Sequence, residues 1–171
     1  MKIPNTLPRF ERYPTLLLVS GDFETHLYLA SDGQLTAVGS VALNPREEAK
    51  EKQGFISRSH GQDLGAVSHH ERYMEELKVR MRAAIRQAVD IAAGKYSLKE
   101  ICLIAPRHSA DAIAKSLSKP MQKKLAVRIY GNYTKKHPLE ALRLMTEEME
   151  RMHHWAKHTH HKDSVFLEEG I

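Results

Sequence analysis

The sequence is poor in cysteine and has no long apolar run. Its single cysteine, Cys102, cannot form an internal disulfide, so nothing in the sequence requires an oxidising compartment. No apolar run approaches the length of a membrane span, and residues 1–14, broken by Pro4, Pro8 and Pro14, do not resemble a signal peptide. We therefore expect a cytoplasmic protein without a membrane-spanning segment.

Signatures of cofactor binding are absent as well. No glycine-rich segment precedes a Lys-Ser or Lys-Thr pair at the spacing of a phosphate-binding loop. Histidine is abundant, with 11 residues, and His154 and His158 could grip one metal ion if the last helix extends that far. No carboxylate or cysteine at a convincing spacing completes that set, and adventitious metal binding by a flexible tail is the alternative. The sequence predicts no cofactor.

The bulk composition is that of a globular protein. The chain has 171 residues, 42% of them hydrophobic and 27% charged, which suits one domain with a real core. A formal net charge of +5 favours an anionic partner such as nucleic acid, without requiring one. We expect an N-terminal extension over residues 1–14, one domain over 15–152 and a histidine-rich tail over 153–171.

Apolar runs and turn signals predict the strands. Residues 16–19, within a strand predicted over 15–20, and residues 101–105 are continuous apolar series, typical of strands that are covered on both faces. Asp32-Gly33 predicts a tight hairpin turn, so the first three strands form an antiparallel meander. The five predicted strands span residues 15–20, 25–30, 35–43, 101–105 and 125–130.

A long amphipathic helix is predicted in the middle of the chain. Ser68-His69-His70-Glu71 has the spacing of a capping box, and apolar residues then recur at intervals of three and four. Gly94 lies where a left-handed cap is expected, which gives a helix of about 25 residues. Residues 44–66, before this helix, show no period and are predicted to be a long functional loop.

Two further helices complete the predicted order. Ser109 is placed to cap a short helix, which a short basic turn follows, and Pro138 suits the first turn of the last helix. Met152 is expected on the buried side of that last helix, and the chain after Trp155 is expected to be loosely ordered. The order β-β-β-α-β-α-β-α predicts a single α/β domain with a five-stranded mixed sheet and helices packed on it.

Basic residues gather on the predicted loop and the long helix, and such groups make phosphate contacts in nucleic-acid complexes. The alternative is a solvated helix face that Glu71, Glu75 and Glu76 balance. Tyr130 and Tyr133 are the plausible stacking partners beside basic residues. The candidate RNA-binding residues are Arg58, Lys78, Arg80, Arg82, Arg86, Lys123 and Lys124.

Several segments together resemble one family. Ile101-Cys102-Leu103-Ile104-Ala105-Pro106, a short helix, a basic turn and the strand from Leu125 to Gly131 resemble the bacterial host attachment protein family. Asn132-Tyr133-Thr134-Lys135-Lys136-His137-Pro138 before the last helix, and the opening hairpin, extend the resemblance over residues 13–150. That family belongs to the bacterial and archaeal release-factor-like group. The resemblance implies a ribonuclease-H-like fold similar to the middle domain of eukaryotic and archaeal peptide-chain release factors.

The same resemblance points to a candidate catalytic tripeptide. In those factors a loop before the long helix carries Gly-Gly-Gln, which assists the hydrolysis of peptidyl-tRNA. The matching positions here are His60, Gly61 and Gln62, with histidine in place of the first glycine. Gln62 could present an amide to a developing oxyanion, but histidine restricts the backbone more than glycine does. The alternative is a turn glycine beside a solvated glutamine.

Three functions follow from these observations. The leading hypothesis is a translation-related protein that binds rRNA, tRNA or the ribosome through residues 44–66 and the basic helix. The alternative is a non-enzymatic attachment or protein-interaction factor with a protein partner, and a third is an ester hydrolase that acts on peptidyl-tRNA. His108, Ser109 and Asp111 are too close in sequence to aim at one another as a catalytic triad. The sequence does not predict the oligomeric state.

Overall fold

The computed structural model describes the backbone of residues 1–45 and 64–165, and the side chains of residues 1–45 and 71–153. Five strands and four helices follow one another along these residues. They are β1 (Thr15–Ser20), β2 (Glu24–Ser31), β3 (Gln34–Ala42), α1 (Leu64–Lys95), β4 (Glu100–Ala105), α2 (Arg107–Ser116), α3 (Lys119–Lys124), β5 (Leu125–Tyr130) and α4 (Pro138–Val165).

The strands form one mixed sheet in the order β3-β2-β1-β4-β5. The first three strands are an antiparallel meander, whereas β4 and β5 lie parallel to β1, with Leu17 opposite Tyr28 on one side and opposite Cys102 on the other. These strand directions are those of the ribonuclease-H-like fold, so the predicted fold class is confirmed. The turn at Asp32 and Gly33 is also confirmed, because φ is positive at both residues (50° and 72°).

Two apolar cores lie on opposite faces of the sheet, because successive side chains of a strand point to opposite sides. Leu16 of β1 and Leu103 of β4 pack in the first core with α1, α2 and α3, while Leu17 and Ile104 pack in the second core with α4. Both strands are therefore buried on both faces, as their continuous apolar series predicted. Ile3 is 2% exposed and belongs to the second core, so the N-terminal extension contacts the domain.

The predicted start of the long helix was wrong. Helix α1 begins at Leu64, so Ser68 lies inside the helix and not at its N-cap. Residues three apart share a face within any helix, so the spacing of a capping box also occurs in helix interiors. Gly94 likewise lies inside α1, since the positive-φ glycines among the described residues are Gly33 and Gly131. With 32 residues, α1 is about 48 Å long.

The region around α2 differs from the prediction in two details. Helix α2 begins at Arg107 with Pro106 as its N-cap, and the Ser109 hydroxyl donates to the Pro106 carbonyl at 3.1 Å instead of capping the helix. The predicted basic turn is the six-residue helix α3, with Pro120 in its first turn, where a missing amide proton costs nothing.

Helix α4 begins at Pro138, as predicted, but it extends further than expected. It continues to Val165, so residues 156–165, expected to be loosely ordered, are helical. Met152 is 44% exposed and does not line the buried side of this helix. Over the parts of the chain that the structure describes, no helix is both long and apolar enough to cross a membrane.

Candidate functional site

Polar segments from three strands meet at one edge of the sheet. Because β1, β4 and β5 are parallel, their carboxyl ends lie side by side, and residues 20–23, 106–109 and 131–134 lie at or just after these ends. We call these residues the carboxyl edge. Ligands of open α/β sheets bind outside the carboxyl ends of parallel strands, which makes this edge the first place to look for a site.

Two glycines bring the segment after β5 close to the segment after β1. Gly21 is buried, and a Cβ atom at this position would lie 3.3 Å from the Thr134 methyl group and 3.5 Å from the Asn132 amide. Gly131 has φ +154°, and a Cβ atom there would overlap the ring of Tyr133. The missing side chain is therefore required at Gly131 and allows a close approach of the two segments at Gly21.

A hydrogen-bonded turn presents Asp22 at the tip of this edge. The hydroxyls of Ser20 and Thr25, both buried, lie 2.8 Å apart, and the Gly21 amide donates to the Glu24 carbonyl at 2.7 Å. Asp22 itself is exposed, and one of its carboxylate oxygens lies 2.8 Å from His108 Nε2 at the start of α2. Both side chains are more than half exposed, so this pair contributes at most about 1 kcal/mol to stability.

A cleft opens between the ends of β1 and β4. The chain leaves β1 toward β2 and leaves β4 toward β5, in opposite directions along the sheet, and such a switch point leaves a crevice. The cleft has a volume of about 270 Å³ and lies between α1 and α2. We call it the edge cleft; it is lined by Ser20, Gly21, Asp22, Phe23, Met74, Lys78, Met81, Arg82, His108, Ser109, Ala112 and Ile113.

Cations and apolar side chains share the edge cleft. Lys78 and Arg82 are one helical turn apart on α1, so both side chains face the same way. Lys78 Nζ lies 2.7 Å from Glu75, and this hydrogen bond lowers the pKa of the Glu75 carboxyl. Arg82 is half-buried, and its charge also contributes to lowering the pKa of the Glu75 carboxyl. Two cations therefore line the cleft from α1.

An exposed aromatic ring lies further along the same edge. The Arg107 guanidinium carbon is 5.6 Å from the centroid of the Tyr130 ring, within range of a cation–π contact. Tyr130 is 51% exposed, so the ring keeps open surface beside a cation. Tyr130 was predicted from the sequence as a stacking partner, whereas Arg107 was not, although it lies just after the buried parallel strand β4.

The structure brings together only part of the predicted basic set. Lys78 and Arg82 line the edge cleft, whereas Arg80 lies 2.6 Å from Glu76 and Arg86 lies 3.7 Å from Asp90 on the exposed side of α1. Carboxylates one turn away compensate the charges of Arg80 and Arg86, as Glu75 does for Lys78, so the place of Lys78 and Arg82 at the cleft is what distinguishes them.

Lys123 and Lys124 lie at the other end of the sheet. Both belong to α3, which precedes β5, and the Lys124 ammonium donates to the Leu98 carbonyl at 2.7 Å. Since β5 has six residues, about 20 Å of strand separates them from the carboxyl edge. One small ligand therefore cannot contact Lys123 or Lys124 and the carboxyl edge at the same time.

The remaining predicted site residues are not described in atomic detail. Arg58, His60, Gly61 and Gln62 lie outside the described residues. His154 and His158 are one turn apart on the backbone of α4. Within the described part of the chain, no three His, Cys, Asp or Glu side chains are grouped to hold a metal ion.

The structure also explains why the triad-like residues do not form a triad. His108 contacts Asp22, 86 positions away in sequence, and Asp111 lies 3.0 Å from Arg128. The Ser109 hydroxyl is directed to the Pro106 carbonyl. No nucleophile–base contact joins these three residues.

Comparison with known proteins gives distant likenesses in structure alone. No protein-family model matches the sequence, and no curated protein matches it. An archaeal translation termination factor, aRF1, is 14% identical with a TM-score of 0.42, over 85% of this chain and 41% of that one. Dom34 of S. cerevisiae, a translation termination-like factor that interacts with Hbs1, is 9% identical with a TM-score of 0.40, over 94% and 43%. The Ppx/GppA phosphatase of Aquifex aeolicus is 10% identical with a TM-score of 0.38, over 68% and 35%.

The chain therefore spans less than half the length of these structures. TM-scores at this level assign no function, and membership of the host attachment protein family stays a prediction. The geometry of the carboxyl edge is the firmer basis for a function.

Proposed function

We propose that this protein binds RNA of the translation apparatus through the carboxyl edge of its sheet. The observation that supports this most directly is the pair Lys78 and Arg82, one helical turn apart at a cleft between the ends of β1 and β4. Phosphate contacts need such cations, presented from a rigid element so that several contacts form at once.

The second support is the aromatic surface on the same edge. Proteins that bind single-stranded RNA combine a basic groove with aromatic rings on which bases stack. Tyr130 offers an exposed ring, and Arg107 lies over it. Lys135 and Lys136, both exposed, follow β5 and add positive charge beyond the same strand end.

The link to translation comes from the predicted resemblance to the host attachment protein family, which implies a fold similar to release-factor middle domains. Arg58 and the His60-Gly61-Gln62 tripeptide stay predictions within this proposal. The described residues that flank their segment lie at the carboxyl edge: the Leu43 amide donates to the Phe23 carbonyl at 2.8 Å, and the Tyr73 hydroxyl donates to the Pro45 carbonyl at 3.0 Å.

A ribosome co-sedimentation experiment with charge-neutralised variants tests the proposal. Lys78→Met/Arg82→Met removes the two cations of the edge cleft, and Lys119→Met/Lys123→Met removes two exposed cations at the opposite end of the sheet, so both variants lose the same net charge. We expect the first variant to sediment less with ribosomes than the second. In filter binding to single-stranded RNA, each lost phosphate contact should lower the slope of log affinity against log salt by about 0.7.

The outcomes separate the functional hypotheses. Co-sedimentation that nuclease or added salt abolishes, and that the edge variant weakens selectively, supports RNA binding. Equal losses in both variants would mean that only net charge matters and would refute a site at this edge. Nuclease-resistant association with a protein supports the attachment or interaction factor instead. Turnover of peptidyl-tRNA that Gln62→Ala abolishes would support the hydrolase.

A further inference from the structure

We propose that the edge cleft binds one unpaired nucleotide, with its base inside the cleft and its phosphate at Lys78 and Arg82. This inference rests on the proposed function, because it names the unit of RNA that the carboxyl edge would receive. The same chemistry is carried by a free nucleoside monophosphate, and the experiment below separates the two sources.

The size of the cleft limits its occupant. Pockets for drug-sized ligands have volumes of about 300–1,000 Å³. At about 270 Å³ the edge cleft lies just below that range, so it suits one nucleotide and not a base pair or a dinucleotide. It is also much larger than a phosphate ion alone would need.

The walls of the cleft suit a flat, weakly polar ring. Phe23, Met74, Met81 and Ile113 contribute apolar surface from a turn, from α1 and from α2. Aromatic rings stack on bases of any sequence, and the sulfur atoms of methionine make favourable contacts with ring edges. Met81 and Ile113 are buried, so this part of the wall is fixed by the first core.

The distribution of charge orients the ligand. Lys78 and Arg82 line the cleft from α1, while Asp22, whose carboxylate lies 2.8 Å from His108 Nε2, lines it from the turn after β1. A phosphate is attracted by the two cations and repelled by the carboxylate, so it lies against α1. The neutral base then lies toward Asp22, where a carboxylate oxygen accepts from an exocyclic amino group.

The test fills the cleft without changing its charge. Ala112 is a half-buried cleft residue on α2, and Ala112→Leu places an isobutyl group in the space proposed for the base. Ala83→Leu makes the same change at an exposed position of α1 and is the matched control. Circular dichroism and thermal unfolding show whether each variant folds.

Each protein is titrated with a short single-stranded RNA that carries 2-aminopurine at one position, with the same RNA abasic at that position, and with AMP. We expect Ala112→Leu to weaken binding of the 2-aminopurine RNA about tenfold and to remove its fluorescence change. Ala83→Leu and the wild type should behave alike, and binding of the abasic RNA should not respond to Ala112→Leu. Met74→Ala, which removes one wall of the cleft, should weaken the same binding about fivefold.

The results also distinguish this inference from the proposed function. RNA binding that depends on Lys78 and Arg82 but not on Ala112→Leu or Met74→Ala would overturn the nucleotide pocket and keep RNA binding. Binding of AMP that Ala112→Leu blocks, without binding of RNA, would keep the pocket for a free nucleotide and refute the proposed function. Binding of both ligands with the same sensitivity identifies RNA as one source of the occupant.

Discussion

Replacing Gly131 tests whether the carboxyl edge needs a residue without a side chain at this position. Gly131 follows β5 directly, with φ +154°, in the range that residues with a side chain rarely adopt. Its missing side chain also makes room for the Tyr133 ring, which packs against the second core. Replacing Gly131 with alanine therefore imposes two separate costs, one in the backbone and one in the packing of a ring.

The size of each cost can be estimated from the geometry. A residue with a Cβ atom in a sparsely populated backbone region costs about 1–3 kcal/mol. Displacing a packed ring to remove an overlap costs about 1–3 kcal/mol more. We expect Gly131→Ala to lower the free energy of unfolding by about 2–6 kcal/mol.

Urea unfolding followed by circular dichroism measures this change. Gly39→Ala is the matched control, because a Cβ atom at this exposed position of β3 meets nothing within 4 Å and its φ is not positive. The control should change the free energy of unfolding by no more than about 0.5 kcal/mol. In a Tyr133→Ala background the ring overlap is gone, so Gly131→Ala should cost only the backbone part, about 1–3 kcal/mol.

A cost for Gly131→Ala that is no larger than that of Gly39→Ala would refute this account of the edge. An equal cost with and without Tyr133 would show that the ring yields freely and that backbone strain is the whole effect.

Two further predictions concern α1 and the buried thiol. Gly94→Ala should raise the free energy of unfolding, measured in urea, by about 0.5–1 kcal/mol, because Gly94 is helical and exposed with open space around it. An unchanged free energy of unfolding would contradict a helix through this residue. Burial raises the pKa of the Cys102 thiol to about 12, so it should not react with a thiol reagent at pH 8 until the protein unfolds. As pH rises above 9 the thiol of the unfolded chain loses its proton before that of the folded chain, so the free energy of unfolding should fall more in the wild type than in Cys102→Ala. An equal fall in both proteins would contradict a raised pKa of Cys102.

Much of the fold was encoded in local patterns. β1 and β4 were predicted because residues 16–19 and 101–105 are continuously apolar, and this pattern indicates burial on two faces without any knowledge of which strands pair. The Asp32-Gly33 turn was equally local, since positive φ at two successive residues needs those residue types. The start of α1 was missed because Ser and Glu three residues apart occur both in a capping box and inside a helix, so this spacing alone does not mark the first turn.

The candidate site could be predicted only in part, because it depends on the pairing of distant segments. Lys78 and Arg82 were named because basic residues gather on the long helix, but the parallel pairing of β1 and β4 is what brings Asp22 and His108 together beside them in the cleft. No period along the chain reports which strands will be neighbours. Ligands of such sheets bind beyond the carboxyl ends of parallel strands, and this rule identifies Arg107 as a candidate only once the sheet order is known.

The shared use of β1 and β4 by both cores has a consequence for cooperativity. Leu16 and Leu18 face one helical layer, while Leu17 and Val19 of the same strand face the other. If the helices on one face of the sheet detach, β1 and β4 lose the apolar contacts on that face. The sheet against which the other helices pack is then destabilised. We therefore expect the two helical layers to unfold together in one cooperative transition, because β1 and β4 contribute side chains to both cores.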